Sequence, residues 1–532
     1  MSTGTKRTKT GCITCRIRRV KCDEARPNCE RCSSTGRTCD GYSTLPFSRR
    51  DLQAASKSNS PQQRTPSPFP NGAYNLNPIS KLVTDPAFSD VLEKRYFQFF
   101  RHRTVISTNS MIDSRFWDRT VPQACHSVPA IKHAILALAS WHQLSNSPND
   151  LQHRYYADRQ YQLALQEAKF MVSSAKESDV HDVDKLLIAC IVFICFEGVR
   201  GDYAASALHM DNGRAICKQY AKRLRSSGRR NDLVEIQQAL ARLDLPAVAF
   251  SDVSSPYHYT LEDFLDTDPV LMPWQFQDVA EAKVPLIDLS RMMLVIGHYL
   301  DRAYFKGDDA EAARLQAEKD NCAERIELWK KYFDQVAHNA NPDSRLLVLN
   351  LQQWYHGIQA VSKAESVGPE TRWDAVNDHF TAIVEIGEKI IERLLPVEGE
   401  ISFSYDLGYT ISTFLTATRC RDPQIRRRAL AILRAIPRQE GVWASLPAAA
   451  IAERWMRIEE EGLTDLKKAS DVPECKRVQF IETAVYSQET RAKLQFTLSG
   501  GTEVRSETIF WKAENRAPMS TMLDVHYTQR YA

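Results

Sequence analysis

Cys12-Ile-Thr-Cys15-Arg-Ile-Arg-Arg-Val-Lys21-Cys22 is followed, seventeen positions after its first cysteine, by Cys29-Glu-Arg-Cys32-Ser-Ser-Thr-Gly-Arg-Thr-Cys39. The spacing C-x2-C-x6-C is used twice, and no histidine occurs before His102. Paired thiolates in this pattern are a soft-ligand set suited to zinc. A closed structural zinc takes four tetrahedral ligands, so six cysteines cannot fill two separate sites, and two of them must bridge. The repeat leaves three bridging pairs open: Cys12 with Cys29, Cys15 with Cys32, or Cys22 with Cys39. Two Zn²⁺ and six thiolates sum to −2, so basic neighbours lower the cost of assembling such a cluster. Residues 1–42 hold little apolar material, and metal binding must supply most of their folding free energy. A disulfide framework fits the count of six, but no apolar run precedes residue 40 as a secretory signal would. A ring-type or ribbon zinc module needs eight ligands or a histidine.

The charge is unevenly placed. Residues 1–50 carry twelve Lys or Arg against four Asp or Glu, so +8, whereas the whole chain is only +3; the other 482 residues therefore carry −5. A basic head on a mildly acidic body points to a polyanionic partner. Arg16, Arg18, Arg19 and Lys21 lie between Cys15 and Cys22. A short helix there presents them on an exposed face, and arginine reaches guanine O6 and N7 with two hydrogen bonds in the major groove. The second half-repeat, 30–38, is less basic. The first half is expected to read bases and the second to contact phosphate or merely support. The plainer readings of the basic run are a solvated face or a nuclear import signal.

These residues resemble the fungal zinc binuclear cluster of transcription factors. The resemblance rests on Cys-Ile-Thr-Cys-Arg-Ile-Arg-Arg-Val-Lys-Cys, the acidic residue after Cys22, and Pro27 two places before Cys29. It covers about 8% of the chain. It implies two zinc ions, with Cys12 and Cys29 as the bridging thiolates: one ion on Cys12, Cys15, Cys22 and Cys29, the other on Cys12, Cys29, Cys32 and Cys39. It further implies a nuclear protein on double-stranded DNA, with Arg18 and Arg19 reading a CGG-like triplet and Pro27 shaping the loop between the halves.

Residues 1–42 read as the cluster domain. Residues 43–84 are expected to be a disordered Ser/Pro-rich linker, with prolines at 46, 61, 66, 68, 70 and 78. Residues 85–475 read as a large all-α domain, with apolar residues at three- and four-residue intervals. The predicted helices cover 129–142, 155–172, 183–198, 203–220, 284–304, 309–337, 343–364, 372–395, 423–436 and 447–461, the pair 183–198 and 203–220 forming a hairpin. Residues 476–532 are a C-terminal extension whose alternation, as in Lys493-Leu-Gln-Phe-Thr-Leu498, suggests a small β appendage. The longest apolar run, Leu186–Phe196, is too short to span a bilayer, so no membrane contact is expected. The seven remaining cysteines show no pairing rhythm and suit a reducing compartment.

Residues 85–220 also resemble the fungal-specific transcription factor domain, through Phe99-Phe-Arg-His-Arg-Thr-Val105, Phe116-Trp117, Ala130-Ile-Lys-His-Ala-Ile-Leu-Ala-Leu138 and Leu187-Ile-Ala-Cys-Ile-Val-Phe-Ile-Cys-Phe-Glu197. That resemblance implies a helical, regulatory, non-catalytic body. No G-x-S-x-G, Walker A, G-x-G-x-x-G or H-E-x-x-H motif is present. His102, His126, His133, His142 and His153 read as structural histidines, and Trp141, Phe193 and Phe196 as core. Residues 243–282 hold eight Asp or Glu and no Lys or Arg, interleaved with Leu261, Phe264, Leu265, Trp274 and Phe276. Such alternation suits an activation segment that meets a coactivator, although an acidic loop is the plainer reading. Residues 43–80 show no heptads, so the protein binds a single half-site as a monomer or forms a homodimer through the body. The resemblance implies a pathway-specific regulator, such as one of a secondary-metabolite gene cluster; the alternative is a zinc-organised protein-interaction adaptor.

Overall fold

The computed structural model describes residues 15, 20–25, 29–35, 39, 88, 90–105, 115–146, 150–174, 180–226, 230–249, 275–364, 367–394, 402–404, 408–511 and 527–528. The expected linker, and most of the acidic stretch, lie outside these residues. The chain separates into two compact units, Met1–Val83 and Thr84–Ala532. In the first unit the described regular element is the single-turn helix α1 (Glu30–Ser33).

The second unit is largely helical. Its first layer comprises α2 (Val91–Phe99), α3 (Val121–Cys125), α4 (Pro129–Asn146), α5 (Leu151–Ser174), α6 (Val180–Arg200), α7 (Tyr203–Ser226) and α8 (Arg230–Ala249). Wide π-turns at Phe100–Thr104 and Phe116–Thr120 follow α2 and precede α3. α6 is apolar nearly all round because α4, α5, α7 and α8 pack against it. Phe196 stacks on Tyr161 at 4.4 Å and meets Trp141 edge-on at 5.9 Å. α6 and α7 form the expected hairpin. Gly201 turns the chain at φ +81°, where a Cβ would come within 2.7 Å of Ser487, and Asp202 caps α7 by accepting from Ala205 N–H at 3.1 Å.

α9 (Lys283–Lys306) and α10 (Asp309–His338) form a second hairpin, closed by Gly307 at φ +68° and capped by Asp308, which accepts from Glu311 N–H at 3.1 Å. Trp329 locks it, donating to the Ala282 carbonyl at 2.6 Å. Then come α11 (Arg345–Lys363), α12 (Asn377–Arg393), β1 (Ser402–Ser404), α13 (Thr410–Arg419), α14 (Pro423–Ala435), β2 (Arg438–Glu440), β3 (Trp443–Ala444) and α15 (Ser445–Glu460). β1 pairs parallel to β2, and β2 antiparallel to β3, so the region expected to be wholly helical contains one small three-stranded sheet. Three strands this short carry too little alternation to register as a period.

The C-terminal strands are real. β4 (Val478–Tyr486), β5 (Arg491–Leu498), β6 (Arg505–Phe510) and β7 (Tyr527–Thr528) make an antiparallel sheet in that order. It packs on α15: Val485, Ala492, Leu494 and Ile509 meet Ala450 and Ile451, while Val478 and Phe496 meet Trp455 and Ile458.

A buried ionic network joins these elements. Glu459 accepts from Arg421 at 2.9 Å, Arg426 at 2.6 Å, Trp455 Nε1 at 3.0 Å and Val478 N–H at 2.8 Å. Glu370 accepts from Arg419 at 2.9 Å and Arg421 at 3.0 Å. Burial pushes the Glu459 carboxyl up, but the Arg426 and Arg421 guanidiniums outweigh it and hold the group at about 2.

The structural reading holds for His133, His142 and His153, whereas the acidic stretch begins differently from either reading of it. His142 is buried and bonds Thr104 at 3.1 Å; His153 bonds the Tyr96 hydroxyl at 2.7 Å; His133 bonds Gln160 at 2.6 Å. They are structural histidines. Asp244, the first acid of the acidic stretch, is buried at the end of α8 and ion-paired with Arg291 of α9. It is a core group rather than part of an exposed segment.

Candidate metal centre

The sulfur atoms assemble around Cys29. Cys15 Sγ lies 3.7 Å from Cys29 Sγ and 3.8 Å from Cys32 Sγ. A zinc–sulfur bond of about 2.3 Å sets the edge of a ZnS₄ tetrahedron at about 3.8 Å, so the Cys15–Cys29 separation is the edge length expected of two thiolates on one ion; Cys15 and Cys32, equally close here, belong to different ions in the sets the resemblance implies. Cys15, Cys29 and Cys32 form one group of ligand atoms within 4.8 Å of one another, and Cys22, Asp23 and Cys29 form another. Cys29 is common to both. Cys15, Cys22, Cys29 and Cys32 are buried and Cys39 is half-buried. Cys12 lies outside the described residues, as do Arg16, Arg18, Arg19 and Pro27.

Local hydrogen bonds prepare the thiols for charge. Cys32 N–H donates to Cys29 Sγ at 3.3 Å, so Cys29 is the N-cap of α1. Cys29 N–H donates to Cys39 Sγ at 3.4 Å, and Glu24 N–H to Cys22 Sγ at 3.4 Å. Glu24 reaches that sulfur from a left-handed conformation, φ 63°. Donors aimed at sulfur favour the thiolate, the form that binds metal. The donor set, its burial and its spacing therefore fit zinc.

Asp23, which the sequence offered only as the acidic residue after Cys22 and without a role, has one in the structure. Its Oδ1 accepts from Ala25 N–H at 3.0 Å and Glu30 N–H at 3.0 Å, and its Oδ2 from Arg31 N–H at 2.7 Å. These donations, that of Ala25 foremost, hold its carboxyl below the usual carboxylate range. Asp23 thus ties the end of the first half-repeat to the start of α1 in the second. Its oxygens are committed to backbone donors, so it is a clamp beside the cysteines. The available signal was an acid placed seven and eight residues before the first N–H groups of a helix, which have no intrahelical acceptor.

Of the basic residues between Cys15 and Cys22, the described one, Lys21, is exposed next to the buried Cys22. Val20 N–H donates to the Cys15 carbonyl at 3.1 Å.

Comparisons with known proteins agree with this centre. Residues 10–46 match the fungal Zn(2)-Cys(6) binuclear cluster domain, and residues 95–258 the fungal specific transcription factor domain. The aspercryptin biosynthesis cluster-specific transcription regulator of Emericella nidulans is 27% identical over 419 residues, covering 74% of this chain and 66% of that protein. A transcription regulator of Purpureocillium lilacinum is 31% identical over 227 residues, covering 39% and 48%. An uncharacterised transcriptional regulatory protein of Schizosaccharomyces pombe is 34% identical over 154 residues, covering 25% and 24%. The matches thus span two thirds or less of these relatives' own lengths. No solved structure matches. Among the described residues, no helix is long and apolar enough to cross a membrane. With the cysteines gathered in its head, the chain carries both domain types of the fungal Zn(2)-Cys(6) transcription factors, and the relatives it is similar to are transcription regulators rather than enzymes.

Proposed function

We propose that the protein is a nuclear, sequence-specific DNA-binding regulator of RNA polymerase II promoters that reads CGG-like triplets through its cysteine cluster. The observation that carries this is the convergence of Cys15, Cys22, Cys29 and Cys32 at metal-ligand spacing beside the exposed Lys21.

Cys12, Cys15, Cys22, Cys29, Cys32 and Cys39 would hold two zinc ions, with Cys12 and Cys29 shared. The place of Cys29 in both ligand groups supports its own sharing; that of Cys12 rests on the family resemblance. Zinc supplies folding free energy here and no reaction chemistry. The chain's own residues do the rest. Asp23 fixes the first half-repeat against α1, and Arg16, Arg18, Arg19 and Lys21, between Cys15 and Cys22 in the sequence, supply the basic side chains. Arg18 and Arg19 take guanine edges; Arg16 and Lys21 take phosphates, which set affinity and register. The relationship to a biosynthesis cluster-specific regulator supports a dedicated gene set, such as a secondary-metabolite cluster, as the target. An acidic-aromatic segment within 250–274 is a candidate contact for a coactivator.

The test is fluorescence anisotropy of the full chain on a CGG-bearing duplex and on a scrambled duplex at one fixed salt concentration. Wild type should prefer CGG by about 10³-fold or more, and Cys22→Ala should lose that preference. Equal binding of the two duplexes by wild type would leave only a basic surface on a zinc-organised adaptor.

A further inference from the structure

A cavity of about 100 Å³ lies in the body where α7 and α8 meet α13, β3, α15 and β4. Four aromatic side chains frame it: Tyr203 at the start of α7, Phe414 of α13, Trp443 of β3 and Trp455 of α15. Phe414 and Trp443 stand edge to face, with centroids 5.1 Å apart. The polar atoms of these rings are committed elsewhere. The Tyr203 hydroxyl bonds Ser487 Oγ at 2.8 Å, Trp443 Nε1 donates to the Pro246 carbonyl at 3.0 Å, and Trp455 Nε1 donates to Glu459 at 3.0 Å. Thr483 is the one other polar side chain in the wall, and the rest is aliphatic, as at Ile451 and Ile481. A buried water needs two to four polar partners, more than a wall of aromatic and aliphatic carbon presents.

The space does not come from loose packing of the elements. Protein interiors are close-packed, and an empty apolar cavity costs stability. The same elements meet tightly nearby: a Cβ on Gly198 would lie 3.3 Å from the Gly441 carbonyl oxygen, and one on Gly201 would lie 2.7 Å from Ser487 Cβ. The cavity is left by small residues, since its wall carries alanine at Ala249, Ala444 and Ala448. An apolar cavity of about 150 Å³ stays dry and binds benzene. We propose that this one is a binding site for a small, uncharged molecule whose buried part is a single aromatic ring or a short branched hydrocarbon. At about two thirds of that volume it holds one ring and no fused pair. Because it is partly open, a substituent on the ring can pass out through its mouth. A charged group inside would lose its hydration and find no partner. The wall is drawn from residues 203–249 and 414–485, so the ligand joins the segment matched by the transcription factor domain to the segment beyond that match. Its binding stabilises their junction.

Toluene is the probe, titrated into the full chain purified with zinc and followed by calorimetry and by thermal unfolding. One molecule should bind per chain with a Kd of about 0.1–1 mM, and Tm should rise along the same saturation curve. Benzoate and benzylamine, the same ring with a charge of either sign, should bind at least tenfold more weakly. Ala249→Leu and Ala444→Leu, both at half-buried wall positions and checked by circular dichroism, should each abolish the toluene response. Ile451→Ala enlarges the cavity and should bind naphthalene at least tenfold more tightly than wild type does, a gain that does not depend on the filled variants. A wild type that binds no toluene saturably overturns the proposal, whatever then fills the space. So does a toluene site that both leucine variants leave intact, equal affinity for the charged rings, or an Ile451→Ala variant with no gain for naphthalene.

Discussion

At the residue scale, the head is organised by atoms that serve sulfur and by one carboxylate that serves backbone. The gathering of Cys15, Cys22, Cys29 and Cys32 could be read directly from their spacing, because metal coordination imposes a strict count and a strict pattern of intervals. Asp23 could not, because its partners are N–H groups whose orientation exists only once α1 has formed. Asp23→Asn keeps the shape and removes the charge. It should lower zinc affinity about 10- to 100-fold, as loss of a supporting hydrogen bond around a metal site typically does; competitive chelator titration measures it. Arg18 and Lys21 should separate in their effects on DNA. Arg18→Ala should cost about 1–3 kcal/mol on the CGG duplex and little on a scrambled one. Lys21→Ala should weaken both alike and reduce the slope of log affinity against log salt by about one. Anisotropy titrations at several salt concentrations distinguish the two.

At the element scale, long amphipathic helices were legible, and the Thr-rich α13 and α8, with a proline deep inside it, were not. α9, α10 and α14 lie within one or two residues of their predicted bounds, since their periodic apolar faces meet the core. α13 was missed. Thr410, Thr413, Thr416 and Thr418 are β-branched and weak helix formers, yet all four are buried. Thr416 and Thr418 return their hydroxyls to the carbonyls of Ser412 at 3.0 Å and Phe414 at 2.8 Å, so tertiary burial overrides propensity. α8 was missed for a similar reason: it carries Pro246 within the helix and runs into the acidic stretch. Close packing between α11 and α13 rests on Gly357, where a Cβ would lie 2.6 Å from Ser412 Oγ. Helix propensity alone favours Gly357→Ala by about 1 kcal/mol. The clash should reverse that sign and leave a net loss of about 1–3 kcal/mol. Thermal unfolding should show a lower Tm, partly restored by adding Ser412→Ala.

At the scale of the whole molecule, a metal-dependent head and a large independently cored body answer to different conditions. The body should respond to acid in two stages. Burial, then Arg103, hold His142 near 4 in the folded state. Unfolded, it titrates near 6.5, so the unfolded state binds more protons below that pH. Stability should fall as pH drops from 6.5 toward 4, by roughly 3 kcal/mol from this group. His142→Gln should flatten that part of the stability–pH curve. Glu459 acts lower. Its depressed value means that its contribution is complete above about 4.5 and fades as pH falls toward 2. Glu459→Gln leaves Arg421 and Arg426 buried against a neutral group and should cost about 3–5 kcal/mol at neutral pH, seen as a lower urea midpoint. On the proposed function the head depends on zinc instead. The most direct test of the central claim is to withdraw zinc stepwise from the full chain with a chelator, following bound zinc by elemental analysis and CGG-selective binding by anisotropy in the same samples. The prediction is two zinc ions per chain, selectivity lost in step with their removal and regained on adding zinc, and near-unchanged helical circular dichroism from the body. CGG selectivity that persists in zinc-free protein would contradict it.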